Sequence, residues 1–569
     1  MKARPGLCLA GSAFALLLAA RLPGAPAAGD EKRPAAMSTA VHAFTYPHAD
    51  YVETGRGRSG GTLHISVASD TGTLDLQTIA ATNPKWLGRL LFDNLVYLDE
   101  HGAITPWIAE RWDISADGLT YVFHLRDGVT FSDGTPLDAA AVKANLDRIV
   151  DPASHTAMTA AYIAPYARSR VVDRRTLEVT LSRPYSAFLN VLAQSWFGLV
   201  SPRSLAGPKA VLATRPVGSG PFIVASYRRQ SGITFVRRPD YRWAPPYIGH
   251  AGPAYLDRIA VTFVPEALPR YVSLVSGQFD LTIDAPPQNA AAIRANPDLV
   301  LGNRINLGNP TRAITFNTTL PPFNELAVRQ AFALAIDRAA ITRANGFGEY
   351  RPTGAFLSAI TPHAAPGIVA PGPDVAAANR LLDKAGWAAR DADGVRRRGA
   401  QRLQATLVQV DAGTALSPIV VAIQADARKI GLRLDIRQVT APQLTQIRAR
   451  NAYQALGPGY WHTNTPDGLY IVYHGQNIAN PRFTGQNTSR IADPQLDSLL
   501  NQARATRDPA RQDRLYAAAQ ARLAVLVPAV PLFENHTLVA YHRHLRGMVY
   551  DTSHNMPFLT TAWLSEPRS

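Results

Sequence analysis

Apolar and polar residues alternate over Thr62–Val67, just after the pair Gly60-Gly61, and this period of two predicts a strand leaving a glycine turn. The same alternation predicts strands at 177–181, 222–227, 233–237, 259–264, 403–409 and 432–438. Residues 118–131 read as a hairpin turning at Asp127-Gly128. Apolar residues spaced by three and four predict helices at 84–98, 138–149, 266–277, 324–344, 374–386, 416–430, 493–506 and 508–526. Asp138 and Asn324 stand where a short polar side chain caps the first turn. Strands and helices alternate throughout, so the fold class is α/β. No internal repeat is visible.

Composition adds limits. The chain has 569 residues, 46% hydrophobic and 18% charged, which excludes coiled coil, collagen and wholesale disorder. Its one cysteine, Cys8, excludes an intramolecular disulfide and any CxxC site. The formal charge of +15 comes mainly from scattered arginines, without a basic tail or an aromatic-basic stripe, so nucleic acid is not an expected partner.

Lys2 and Arg4 precede the apolar run Leu7 to Ala20, and Ala25-Pro26-Ala27 is a small-x-small site. This predicts a signal peptide over 1–28, cleaved near Ala27, followed by a flexible lead-in over 29–59. The run is shorter than the ~20 residues that span a bilayer. Cys8 precedes most of its apolar run, which argues against a lipoprotein.

Motifs for catalysis are missing. HExxH, GxxxxGK[ST], GxSxG and SxxK do not occur. Gly55-Arg56-Gly57-Arg58-Ser59-Gly60 fits GxGxxG but opens a strand, whereas a dinucleotide loop opens a helix. His542 and His544 are two imidazoles without a third ligand nearby in sequence. No enzyme activity, metal or cofactor is expected.

Four stretches are more specific. They are 125–137 (LRDGVTFSDGTPL), 216–222 (PVGSGPF) with 238–243 (RPDYRW), 316–324 (FNTTLPPFN) running into 328–338 (VRQAFALAIDR), and 385–387 (AGW) with 393–396 (DGVR). In this order they resemble the family 5 extracytoplasmic solute-binding proteins of ABC importers, the peptide/nickel-binding group, over roughly residues 60 to 565. On their own chemistry the motifs are scaffold: Gly218 and Gly220 suit a tight turn into a strand that Pro221 starts.

The resemblance implies a two-lobe periplasmic-binding-protein fold (type II) with an extra subdomain inserted in lobe I. Lobe I would take 60–92, the inserted subdomain 93–215, lobe I again 216–310, lobe II 311–533, and the lobe I return 534–569. It implies a monomeric periplasmic receptor that captures a peptide or peptide-like solute between the lobes and delivers it to a membrane permease and its ATPase. An opine, an oligosaccharide or a metal chelate is the alternative solute, a chemosensory receptor the alternative role, and a periplasmic hydrolase a distant third.

The resemblance also points to a pocket. Peptide-binding members carry an aspartate three residues after a tryptophan, paired with the ligand α-ammonium. The matching stretch here is Gly459-Tyr460-Trp461-His462-Thr463-Asn464-Thr465-Pro466-Asp467, which puts Asn464 at that position. An amide accepts a hydrogen bond but does not neutralise an ammonium. Dipeptide-binding members have an arginine after the strand matching 403–409. Here Asp411 follows that strand and no arginine is present. Trp461 and Tyr460 would form an aromatic wall, with His462 as a further contact. Asn83 would lie on the rim, and Asp467 is the alternative anchor to Asn464.

Overall fold

The computed structural model describes residues 57–78, 85–99, 102–306, 311–365, 367–369, 372–410, 417–459, 463–480, 485–553 and 555–565. Three sheets organise them. The largest has seven strands in the order Leu299–Ile305, His536–His542, Leu281–Ile283, Thr62–Val67, Arg258–Phe263, Gly232–Arg237 and Phe222–Arg228. Thr62–Val67 lies at its centre, parallel to both neighbours. Leu63 and Ile65 are fully buried, as the alternation requires.

A second sheet of five strands runs Arg433–Val439, Gln404–Val410, Ala455–Gly459, Arg312–Phe316 and Ala529–Phe533. Gln404–Val410 is parallel to both of its neighbours. Ile314, Phe316, Phe332, Trp387, Leu407 and Val530 form its own core. A third, antiparallel sheet is Ala109–Ile114, Thr120–Leu125, Thr176–Leu181 and Tyr166–Asp173. Helix Ala139–Val150 precedes its last two strands in the chain, and the Asp138 side chain accepts from Ala141 N at 3.0 Å.

The chain passes from the seven-stranded to the five-stranded sheet between Ile305 and Arg312, and returns between Phe533 and His536. Tyr350 packs beside this junction. Its ring stacks on Phe533 at 5.5 Å and on His536 at 5.6 Å. The Glu349 carboxylate takes both Nη atoms of Arg294, at 2.5 and 2.6 Å, and Asn303 Nδ2 at 3.0 Å. These contacts tie the two sheets together at the crossing.

Several expectations need correction. The helix expected over 84–98 ends at Leu91, and Val96–Leu98 is a short strand paired with Ile104–Pro106. The hairpin expected over 118–131 turns earlier: Thr120–Leu125 pairs with Ala109–Ile114, and Asp127-Gly128 leads only to a bridge between Thr130 and Pro136. The helix expected over 324–344 is two helices, Leu326–Ala335 and Arg338–Gly346, because the Asp337 side chain caps the second through Ala340 N at 2.8 Å. Asn324 caps neither; Glu325 precedes the first helix without a side-chain cap bond.

Gly218 and Gly220 are absent from the left-handed positions, so turn conformation is not their reason. A β-carbon on either would overlap the backbone at Leu91, whose carbonyl accepts from Gly220 N at 2.9 Å. These glycines exist for close approach. His542 Nε2 bonds the Leu274 carbonyl at 2.7 Å and His544 Nε2 meets Asp280 Oδ1 at 2.8 Å, so both histidines have structural partners.

Candidate ligand-binding site

Of the pocket residues singled out in the sequence, Asn464 and the alternative anchor Asp467 lie among the described residues. Asn83, Asp411, Tyr460, Trp461 and His462 lie outside the described residues. The strands preceding two of these stretches are informative. Gln404–Val410 and Ala455–Gly459 are parallel neighbours, so the chain leaves the five-stranded sheet at the same edge before 411 and before 460. In open α/β sheets the carboxyl ends of parallel strands are where ligands are held.

Asn464 is 1% exposed. Its Nδ2 donates to the Asn190 carbonyl at 2.9 Å, and its Oδ1 accepts from Gln194 Nε2 at 3.3 Å. Both ends of the amide are therefore engaged by the segment that follows helix Phe188–Leu192 and by its last turn. That segment is firmly held in turn. Asn94 Nδ2 donates to the Leu192 and Gln194 carbonyls, each at 2.7 Å. Arg89 Nη2 donates to the Ala193 carbonyl at 2.7 Å. Arg89 pairs with Asp551 at 2.7 and 3.2 Å and bonds Asn94 Oδ1 at 2.6 Å. The Arg89 side chain is fully buried and Asp551 nearly so, and the guanidinium lies 5.3 Å from the Trp107 ring centre.

Asp467 is not a vacant anion. Arg504 Nε lies 2.7 Å from its Oδ1, Arg504 Nη2 bonds Oδ2 at 3.2 Å, and the Tyr185 hydroxyl donates to Oδ2 at 2.8 Å. Asp467 and Arg504 are 2% and 4% exposed, so the pair is desolvated and mutually dependent. This corrects Asp467 as an alternative ammonium anchor: its charge is already neutralised. Burial alone would lower the Arg504 pKa, but Asp467 beside it drives it upward. Burial, with Asp467 adding to it, holds the Tyr185 hydroxyl far above the usual tyrosine range, so it stays a proton donor. Arg504 also sits 3.7 Å from the Tyr470 ring centre and 4.3 Å from that of Tyr185.

Sequence reasoning missed Arg504, Tyr185, Gln194 and Arg89. One signal was present. Leu496, Leu500 and Ala503 form the buried stripe of helix Pro494–Ala505, and Arg504 adjoins it. A buried arginine requires a counter-charge. Nothing in the sequence marked Gln194, which meets Asn464 from 270 residues away.

Among the described residues no group of three His, Cys, Asp or Glu side chains gathers to hold a metal ion, and no helix is long and apolar enough to cross a membrane.

Comparison with known proteins fits this geometry. Residues 103–480 match the family model described as bacterial extracellular solute-binding proteins, family 5 Middle. The Glutathione-binding protein GsiB of Escherichia coli O6:K15:H31 is 28% identical over 502 residues, covering 85% of this chain and 91% of that protein. The periplasmic binding protein DppA of Helicobacter pylori, solved with the peptide STSA, superposes with a TM-score of 0.77 at 22% identity, covering 90% and 99% of the two chains. AgaA of A. tumefaciens R10, solved with agropinic acid, gives a TM-score of 0.75 at 25% identity, covering 89% and 99%. The chain has the two-lobe periplasmic-binding-protein fold of these proteins. The chain belongs to the family 5 bacterial extracellular solute-binding proteins.

Proposed function

We propose that this chain is the solute receptor of an ABC importer, holding a peptide or peptide-like solute between its lobes and passing it unchanged to a membrane permease and ATPase. The observation that carries the reading is the double passage between the two sheets, from strand Leu299–Ile305 to Arg312–Phe316 and back from Ala529–Phe533 to His536–His542, the connectivity that a hinge between two bodies requires. Lobe I comprises 60–92, 216–310 and 534–569, the inserted subdomain 93–215, and lobe II 311–533. The receptor works as a monomer in the periplasm after removal of residues 1–28. Its solute meets Asn83, Asp411, Tyr460, Trp461 and His462.

The solute class follows from the relatives' names: glutathione for GsiB and a tetrapeptide for DppA. AgaA, with agropinic acid, favours a second reading in which the solute is an opine-like conjugate. A thermal-shift panel of glutathione, di- to pentapeptides, agropinic acid, oligosaccharides and nickel chelates on ligand-stripped protein separates the two. Ligand at 100 times its Kd adds about 2.7 kcal/mol of stability, a readily measured rise in Tm. Stabilisation by peptides supports the first reading and stabilisation by agropinic acid alone supports the second. Conversion of any of these compounds to product refutes a receptor role.

A further inference from the structure

Beside the five-stranded sheet, the two positions considered for an ammonium anchor are spent: 464 is an amide, and the Asp467 carboxylate is held by Arg504. The seven-stranded sheet offers another carboxylate at the edge where the chain crosses. Strands Leu281–Ile283 and Leu299–Ile305 are both antiparallel to His536–His542, so both run toward its first residues. Asp284 follows Leu281–Ile283 at this edge. The next residue's N–H, Ala285 N, donates to the Leu538 carbonyl at 2.9 Å, which places Asp284 beside the start of the returning strand.

Asp284 has a φ of 60°, a left-handed conformation that aspartate and asparagine tolerate better than most residues with a β-carbon. It is half-buried, and among the described residues no group hydrogen-bonds its carboxylate. Arg270 is near, but its Nη atoms serve carbonyls: those of Val264 at 2.7 Å, Pro265 at 2.6 Å and Asp284 itself at 3.3 Å. Burial pushes the Asp284 carboxyl above its ordinary value, and Arg270 opposes this only in part. Tyr350, at the junction of the sheets, feels the same charge: burial raises its hydroxyl pKa, Arg312 opposes, and Asp284 and Glu349 add to the rise. The aspartates after Thr62–Val67 differ. Asp70 accepts from the Tyr227 hydroxyl at 2.5 Å and Gln230 N at 2.7 Å, and Asp75 pairs with Arg148 at 2.5 Å. A partly desolvated carboxylate without a donor, on a strained backbone, is costly unless a ligand completes it.

We propose that Asp284 is the cation anchor of the site, its carboxylate receiving the α-ammonium or another protonated nitrogen of the bound solute. The proposal rests on the receptor reading and narrows it to solutes that carry a positively charged nitrogen.

The test is calorimetric titration of the ligand-stripped mature chain with glutathione, the peptide STSA and the N-acetylated form of each. Wild type is expected to bind the free amines roughly tenfold or more tightly than the acetylated forms. Asp284→Asn keeps the shape and tolerates the same φ. It should bind the free amines roughly tenfold or more weakly and lose the preference, because acetylation and the substitution remove the same pair. A variant that keeps the wild-type preference, or a wild type without one, overturns the anchor and leaves the receptor reading standing. A second measurement needs no solute. At pH 7 Asp284→Asn should unfold at a higher urea concentration than wild type, since it removes a buried charge that nothing completes. An equal or lower midpoint overturns the anchor, because the carboxylate would then be a structural partner. If wild type binds none of the four probes, the peptide reading fails and the urea comparison alone decides for or against Asp284.

Discussion

An arginine buried beside the apolar stripe of a helix needs either a counter-charge or carbonyl acceptors to replace its lost hydration. Arg504 has that counter-charge in Asp467, and the Tyr185 hydroxyl completes the carboxylate's shell. The pair taken whole is worth little net stability, because both ions were stripped of water to form it. Breaking it from one side is different, since the other ion remains buried. Asp467→Ala should therefore destabilise the protein by about 3–5 kcal/mol, read as a lower urea midpoint. Replacing both partners, Asp467→Leu with Arg504→Met, should cost much less than that single change. Equal losses for the single and double variants would mean the pair is not coupled.

Elements show where the sequence was legible and where it was not. The strand at His536–His542 returns the chain to the seven-stranded sheet and begins with a histidine at the crossing. His536 Nδ1 is 2.7 Å from Asn303 Oδ1, and its Nε2 accepts from Arg351 N at 3.2 Å. That is the bonding of a neutral imidazole. Burial pushes its pKa down to about 4; Glu349 opposes this and Arg351 adds to it. A histidine lowered on folding contributes stability that is complete above about 6.5, the unfolded value, and is lost as pH falls toward 4. Wild type should lose stability relative to His536→Gln across that window, on the order of 3 kcal/mol in all, in urea titrations at stepped pH. Parallel pH profiles would contradict it.

Strands with one buried face, such as Thr62–Val67 and Thr176–Leu181, were readable because their alternation records that burial. Ala109–Ile114 was not readable, because it is an edge strand whose outward residues are charged. Val96-Tyr97-Leu98 is an apolar run that a helix and a buried strand explain equally well, and its surroundings decide. The break at Asp337 was visible only as a capping residue inside a long apolar pattern. Asn464 was found by its motif, whereas its partners Asn190 and Gln194 come from another part of the chain and carry no local signature.

At the scale of the molecule, the cores do not divide as the two lobes do. The five-stranded sheet has its own core, around Phe332, Trp387 and Leu407. The helices between its strands Ala455–Gly459 and Ala529–Phe533 contribute Leu496, Leu500, Tyr516 and Leu523 to the same large core as Leu63 of the seven-stranded sheet and Phe123 of the four-stranded one. The two large sheets are thus joined by the crossings, by the Glu349–Arg294 pair and by this shared apolar layer. A shared core couples the stabilities of the parts that build it. In hydrogen exchange under rising urea, strand Thr62–Val67 and helix Pro494–Ala505 should therefore open in one step, with the same free energy and urea dependence. Gln404–Val410, whose core is separate and smaller, should open at a lower free energy than either. An opening of helix Pro494–Ala505 distinct from that of Thr62–Val67 would mean that the shared apolar layer does not couple them.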